Sequence, residues 1–243
     1  MEYLLYFLVT IFLSTIFAMA GLGSAIALVP AFNFLGLSFD ISRASGLFVN
    51  FVTTVTTSFL NFKKKLFDKD FVFPLILSSM IFAYIGAKTS FSIDVDIVKN
   101  IFAITLVFIA SAILFLKKDN VKKAKVNKNT LYFVGSIGGF FSGLLGIGGG
   151  SIISPILVLL GYDLKKIAIS ISFVIPFSSI VAFSSYISNI QIDYVLLVII
   201  SLGAYIGGVI GNYLLHFKIS SKTIKKIIAI VLYIIAIKIF LIG

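Results

Sequence analysis

Apolar runs broken by short polar segments set the pattern of this chain. Five runs, at 3–20, 24–37, 42–62, 71–88 and 97–116, are followed by a lysine-rich stretch at 117–129, and five more, at 130–145, 151–160, 164–187, 194–215 and 223–242, repeat the layout. Most of these runs have the length and apolarity of helices that cross a membrane. The first ends in Ala18-Met19-Ala20, but Glu2 and the lack of Lys or Arg before it argue against a cleaved leader, so it is kept as a helix. The two sets are also copies. At a shift of 125 residues, Gly146, Gly148, Pro155, Gly161, Ser170, Phe173, Asp193 and Gly211 fall on Gly21, Gly23, Pro30, Gly36, Ser45, Phe48, Asp68 and Gly86. The pattern predicts an all-α integral membrane protein of two tandem repeats, 1–116 and 130–243, joined by an exposed basic connector at 117–129.

Each copy contains a glycine break, clearest at Gly146-Ile147-Gly148-Gly149-Gly150-Ser151 and weaker at Gly21-Leu22-Gly23-Ser24. Glycine permits positive φ and close approach to the main chain, but it gives up helical hydrogen bonds that lipid cannot replace. Such a break is tolerated inside protein or beside a cavity; the plainer alternative is a packing or turn cluster. The run before each break and the short run after it together cover 35 residues in the first copy, roughly 50 Å of helix against a hydrocarbon core of roughly 30 Å. One crossing is too few and the short runs are marginal for a second. A re-entrant or short-helix hairpin is expected in each copy.

Composition and charge then orient the plan. With 60% hydrophobic residues, 12% charged residues and a mean hydropathy of +1.15, a soluble enzyme is excluded. The net charge of +11 does not mark nucleic-acid binding, because 16 of the 20 basic residues lie in four polar segments between apolar runs. If each short run returns toward its starting side, the segments at 63–69, 117–128, 165–166 and 218–226 share one face, leaving Arg43, Lys88, Lys99 and Lys238 opposite. The positive-inside rule makes the basic face cytoplasmic and both termini extracytoplasmic. An odd number of segments per copy inverts the second copy relative to the first, a plan shared by many secondary transporters with midplane sites.

The candidate chemistry is that of an anion site. Ser24 and Ser151 are placed at the N-terminal ends of the short helices, where unpaired amides carry the positive end of the helix dipole and serine is a favoured cap. A polar stripe of Asn50, Thr54, Thr57 and Asn61, with Thr53 alongside, follows the first break; Ser172, Pro176, Ser179 and Tyr186 occupy the matching helix of the second copy. These groups either join helix to helix or donate to a substrate oxyanion, and Pro176 frees a backbone carbonyl for a cation or water. All nine acidic residues fall in loops or at helix ends, which disfavours a cation substrate. Arg43, the single arginine, either attracts an anion or snorkels to the headgroups; snorkelling is the ordinary behaviour of a terminal basic residue and is the expectation here. With no cysteine and one histidine, His216, read as interfacial, neither a metal site nor a cofactor is expected. Gly135, Gly139 and Gly143, and Gly203, Gly207 and Gly211, are read as close-packing stripes.

The segment Gly143-Leu144-Leu145-Gly146-Ile147-Gly148-Gly149-Gly150, with Pro155 and Leu159-Leu160-Gly161, resembles the signature of the sulfite exporter family, TauE/SafE. Gly21-Leu22-Gly23 with Pro30 and Gly36 is similar to that family's first copy, although Ser24 and Ala25 stand where the second copy has Gly149 and Gly150. The resemblance covers essentially the whole chain and implies a transporter of small sulfur-containing anions such as sulfite or organosulfonates. The expected reading is therefore a secondary transporter, not an enzyme, working by alternating access. The bilayer, a small anion and a coupling proton or sodium ion are its partners, and nucleic acid is not. Its expected substrate-binding residues are Gly21, Gly23, Ser24, Asn50, Thr54, Gly146, Gly148, Gly149, Gly150, Ser151, Ser172 and Ser179. A passive channel lined by the two hairpins is the alternative.

Overall fold

A computed structural model describes residues 2–20, 23–115, 127–162, 164–215 and 221–242. Gly21, most of the predicted connector and His216 lie outside these residues. Among the described residues the secondary structure is entirely helical: α1 (Glu2–Ala20), α2 (Ala25–Phe34), α3 (Phe39–Lys63), α4 (Lys69–Ser90), α5 (Val95–Phe115), α6 (Lys128–Leu145), α7 (Gly150–Leu159), α8 (Leu164–Ile187), α9 (Tyr194–Leu215) and α10 (Ser221–Ile242). Each coincides with a predicted run to within three residues at either end. The protein is a multi-pass membrane protein: α1, α4, α5, α8 and α9 are long and apolar enough to cross a bilayer. Large apolar side chains such as Phe12, Phe133, Val198 and Leu202 are exposed on the outside of the bundle, as a lipid-facing surface requires.

Local signals explain the helix ends. Ser38 and Asp68 cap α3 and α4 by accepting from the amides of Ile41 and Phe71, each at 3.3 Å. The short helices α2 and α7 end in the same motif: Gly36 (φ +104°) and Gly161 (φ +84°) turn the chain left-handed, and the next amide bonds back to Phe32 or Leu157. The hydroxyl of Tyr6 donates to the carbonyl of Leu35 at 3.0 Å, so α2 runs back beside α1.

Small residues set the closest helix contacts. On α6, Gly135, Gly139 and Gly143 lie against Leu75, Ser79 and Ala83 of α4; on α9, Gly203, Gly207 and Gly211 lie against Phe7, Ile11 and Thr15 of α1. Both pairs are parallel, because the numbers rise together. A Cβ on Gly139 would come within 2.6 Å of the Ser79 Cα, so only glycine allows this approach. In contrast, α3 and α8 are antiparallel, joined by Asn50 to Ser179 and by Asn61 to Ser172. Exchanging α1–α5 with α6–α10 turns α4 on α6 into α9 on α1, α4 on α8 into α9 on α3, and α2 on α3 into α7 on α8, all of which are observed contacts.

Two clusters of interactions lie at opposite ends of the bundle. At one, Lys166 bonds Asp68 at 2.7 Å and Lys128 bonds Asp70 at 2.9 Å. The hydrogen bond from Lys166 is the main cause holding the Asp68 carboxyl below its usual range, against a smaller opposing effect of burial. At the other, the Tyr3 hydroxyl donates to Asp193 at 2.6 Å and lowers that carboxyl likewise. Asp68 and Asp193 lie 125 residues apart, and each binds the first amides of its helix.

Candidate functional site

Asn50 lies between the two glycine breaks. It is fully buried on α3, its Oδ1 accepts from the Ser24 amide at 2.9 Å, and its Nδ2 donates to the Ser179 hydroxyl at 3.1 Å. Both neighbouring glycines have left-handed backbones: Gly23 at φ +82° and Gly148 at φ +76°. A Cβ on Gly23 would stand 2.5 Å from Asn50 Oδ1, and one on Gly148 would collide with Asn50 Nδ2. One carboxamide therefore fits between two main-chain segments that only glycine brings so near.

The two helix starts do not face each other across open space; Asn50 occupies the place between them. Nor do the serines cap their helices as expected. Ser24 has helical backbone angles (φ −82°, ψ −20°) in place of the extended cap conformation, and its side chain makes no cap bond. Its hydroxyl is buried with no partner among the described residues. In the second break the N-cap position falls to Gly149, and Ser151, one residue into α7, donates its hydroxyl to the Gly148 carbonyl at 2.9 Å.

The remaining predicted residues divide into two groups. Thr54 donates to the Asn50 carbonyl at 2.6 Å and Ser172 accepts from Asn61 Nδ2 at 3.1 Å. Both line a cavity of about 30 Å³ with Gly23, Thr57, Asn61 and Asn212, a volume that holds water and little more. The carbonyl of Ser172, freed because Pro176 lacks an amide hydrogen, accepts from the Ser58 hydroxyl. Away from this group, Gly146 ends α6 in the left-handed conformation and packs on Arg43, Gly149 approaches the Gly138 carbonyl, and Gly150 packs against Ile171 and Ile175. Gly21 is outside the described residues.

Sequence reasoning misplaced Arg43. It does not snorkel: it is 1% exposed. Its guanidinium donates to the Leu144 carbonyl at 2.9 Å, to the Ser90 hydroxyl and to Asp40, and stacks over the rings of Phe39 and Tyr186. Tyr186 donates to the Gly143 carbonyl at 3.0 Å. Together they satisfy carbonyls that the end of α6 leaves without helical partners. The signal was present in the choice of arginine, whose planar fork serves several acceptors at once. Asn212, on the cavity wall, was also missed, because it adjoins the Gly211 packing stripe.

Along α3, then, Arg43 and the Phe48–Phe183 ring contact (4.8 Å) close one side of Asn50, while hydroxyls and carboxamides surround a small cavity on the other. An apolar exterior around such an interior defines a polytopic helical protein that keeps polar groups at membrane depth. The model of the sulfite exporter TauE/SafE family matches residues 6–239. A probable membrane transporter protein of Methanocaldococcus jannaschii is 34% identical over 179 residues, 69% of this chain and 66% of the relative, just under two thirds of its length. A second, from Bacillus subtilis, is 28% identical over 249 residues, with 91% of each chain covered. The chain belongs to the TauE/SafE family, a family of membrane transporters and not of enzymes.

Proposed function

We propose that the protein is a secondary transporter of small sulfur-containing anions, of the sulfite or organosulfonate class, and that the substrate binds where Asn50 now joins the two breaks. One observation carries this reading: Asn50 Oδ1 takes the Ser24 amide as an anion's oxygen would, beside a buried serine hydroxyl that has no partner among the described residues. In this account the substrate displaces the carboxamide and receives the Ser24 amide and hydroxyl, with Gly148, Ser179, Thr54 and Ser172 as the polar surround. Gly21, Gly146, Gly149, Gly150 and Ser151 shape the breaks that make the approach possible.

The two halves, 1–116 and 130–243, act as inverted repeats. Support comes from the antiparallel course of α3 and α8, the paired helix contacts and the return of α2 beside α1. Alternating access is then a rearrangement of the α3–α8 seam, opening either the Arg43 side or the Asn61 side. The basic side, with Lys128 and Lys166, faces the cytoplasm and both termini face outward. The residues 117–129 form the cytoplasmic connector. A proton or sodium gradient drives the cycle.

Counterflow of labelled sulfite in proteoliposomes tests the reading, with sulfate, thiosulfate and a small sulfonate as competitors. Saturable counterflow, competed by the sulfur anions, is the expected result. Flux that neither saturates nor shows counterflow would replace the carrier with a channel, and flux insensitive to an imposed proton or sodium gradient would remove the coupling.

A further inference from the structure

A second site of different chemistry lies away from the breaks. A crevice of about 400 Å³ opens between α2, the start of α3, the first turns of α5 and the last turns of α10. Phe34, Phe39 and Ile239 make its walls apolar, while Lys99, Lys238 and Asn33 supply polar groups. Among the described residues no carboxylate pairs with Lys238, whose ammonium lies 3.8 Å from the centre of the Phe34 ring. Its side chain is exposed at the crevice, with the ammonium resting on an aromatic wall. Lys99 bonds Asp96 at 3.1 Å, and that carboxylate is 71% exposed, so water screens the pair. The duplication does not account for these groups, since Val158 matches Asn33 and Ile113 matches Lys238 at the same 125-residue shift.

We propose that this crevice binds an amphiphilic oxyanion, a phosphate or sulfonate head carrying an apolar chain. Two ammonium groups and a carboxamide suit the head, and the aromatic and aliphatic walls suit the chain. The volume lies in the range of organic-ligand pockets and far exceeds what a bare sulfite needs. Phe34 and Asn33 belong to the end of α2, and Ser24 precedes its start, so an occupant would bear on the same helix that meets Asn50. The binding proposal itself does not depend on the transport reading.

Native mass spectrometry of the intact protein in neutral detergent tests it, with short-chain phosphatidylglycerol, octanesulfonate, inorganic sulfate and short-chain phosphatidylcholine as probes. The expected result is that one or both anionic amphiphiles bind, sulfate and phosphatidylcholine bind weakly, and the Lys99→Gln, Lys238→Gln double variant loses about tenfold or more in affinity. Lys88→Gln, outside the crevice, leaves binding unchanged, and Lys238→Arg retains it. Binding of phosphatidylglycerol alone makes the ligand a lipid headgroup, and binding of octanesulfonate also admits free anions. Equal affinity in the wild type and the folded double variant would overturn the proposal. So would sulfate binding as tightly as the amphiphiles.

Discussion

The two glycine breaks are similar in sequence and are held in different ways. At the second, α6 ends on Gly146, its last carbonyls are taken by Arg43 and Tyr186, and the Ser151 hydroxyl is bound to Gly148. At the first, the Ser24 amide rests on Asn50 and the Ser24 hydroxyl is buried. At the 125-residue shift the positions matching Arg43 and Tyr186 hold Ala168 and Asn61, which supply no equivalent brace. One break is thus fastened to its surroundings, and the other leaves the Ser24 hydroxyl without a partner among the described residues. On the proposed reading, the second break acts as scaffold and the first as receptor.

Breaking the brace is the strongest test of that division. Arg43→Met leaves the Leu144 carbonyl and Asp40 without their donor, and is expected to destabilise the protein by about 3 kcal/mol, read as a lowered thermal midpoint in detergent. Arg43→Lys should recover only part of this, because an ammonium lacks the planar fork. If Arg43→Met unfolds at the wild-type temperature, the second break is not braced. Next in size is Gly148→Ala, which forces a Cβ into Asn50 and into left-handed backbone, the latter alone costing about 1–2 kcal/mol. Gly23→Ala meets the same backbone strain, so both should abolish transport while the protein still inserts.

The serines separate the breaks more finely. Ser151→Ala forfeits a buried hydrogen bond and should cost about 1 kcal/mol, whereas Ser24→Ala removes a hydroxyl with no partner among the described residues and should leave stability unchanged while slowing transport. Equal thermal midpoints for the two variants would erase the distinction. The smallest effect belongs to Asp68→Asn at the basic end. Because Lys166 lowers the folded carboxyl below its usual value, the stabilisation is complete above about pH 4 and is lost only as pH falls through that lowered value. The half-exposed bridge contributes no more than about 0.5 kcal/mol, so the Asp68→Asn deficit should be small and constant between pH 5 and 8 in thermal unfolding.

The fold was readable because lipid leaves the backbone few choices. Apolar runs became helices to within three residues at either end, and the glycine stripes at 135–143 and 203–211 met the helices they needed to approach closely. The breaks were readable for the same reason, since Gly23 and Gly148 adopt backbones that few other residues accept. What sits between the breaks was not readable. Asn50 belonged visibly to a polar stripe, but its contact with both breaks depends on how α3 crosses α8, which no local pattern encodes. Arg43 was misjudged because a helix-end position suggests headgroups, while its burial is decided by Tyr186 and Leu144, more than 100 residues away in sequence. Asn212 was hidden by its neighbour Gly211, whose packing role explained that stretch of α9 sufficiently.

The most direct test of the central claim is the initial rate of labelled-sulfite counterflow for the wild type and Asn50→Asp, at equal amounts of folded, inserted protein. A carboxylate at position 50 keeps an oxygen for the Ser24 amide but sets a negative charge against the entering anion, and the account predicts that counterflow falls at least about a hundredfold. Counterflow at the wild-type rate would mean that the anion passes elsewhere, and that Asn50 only joins the two halves.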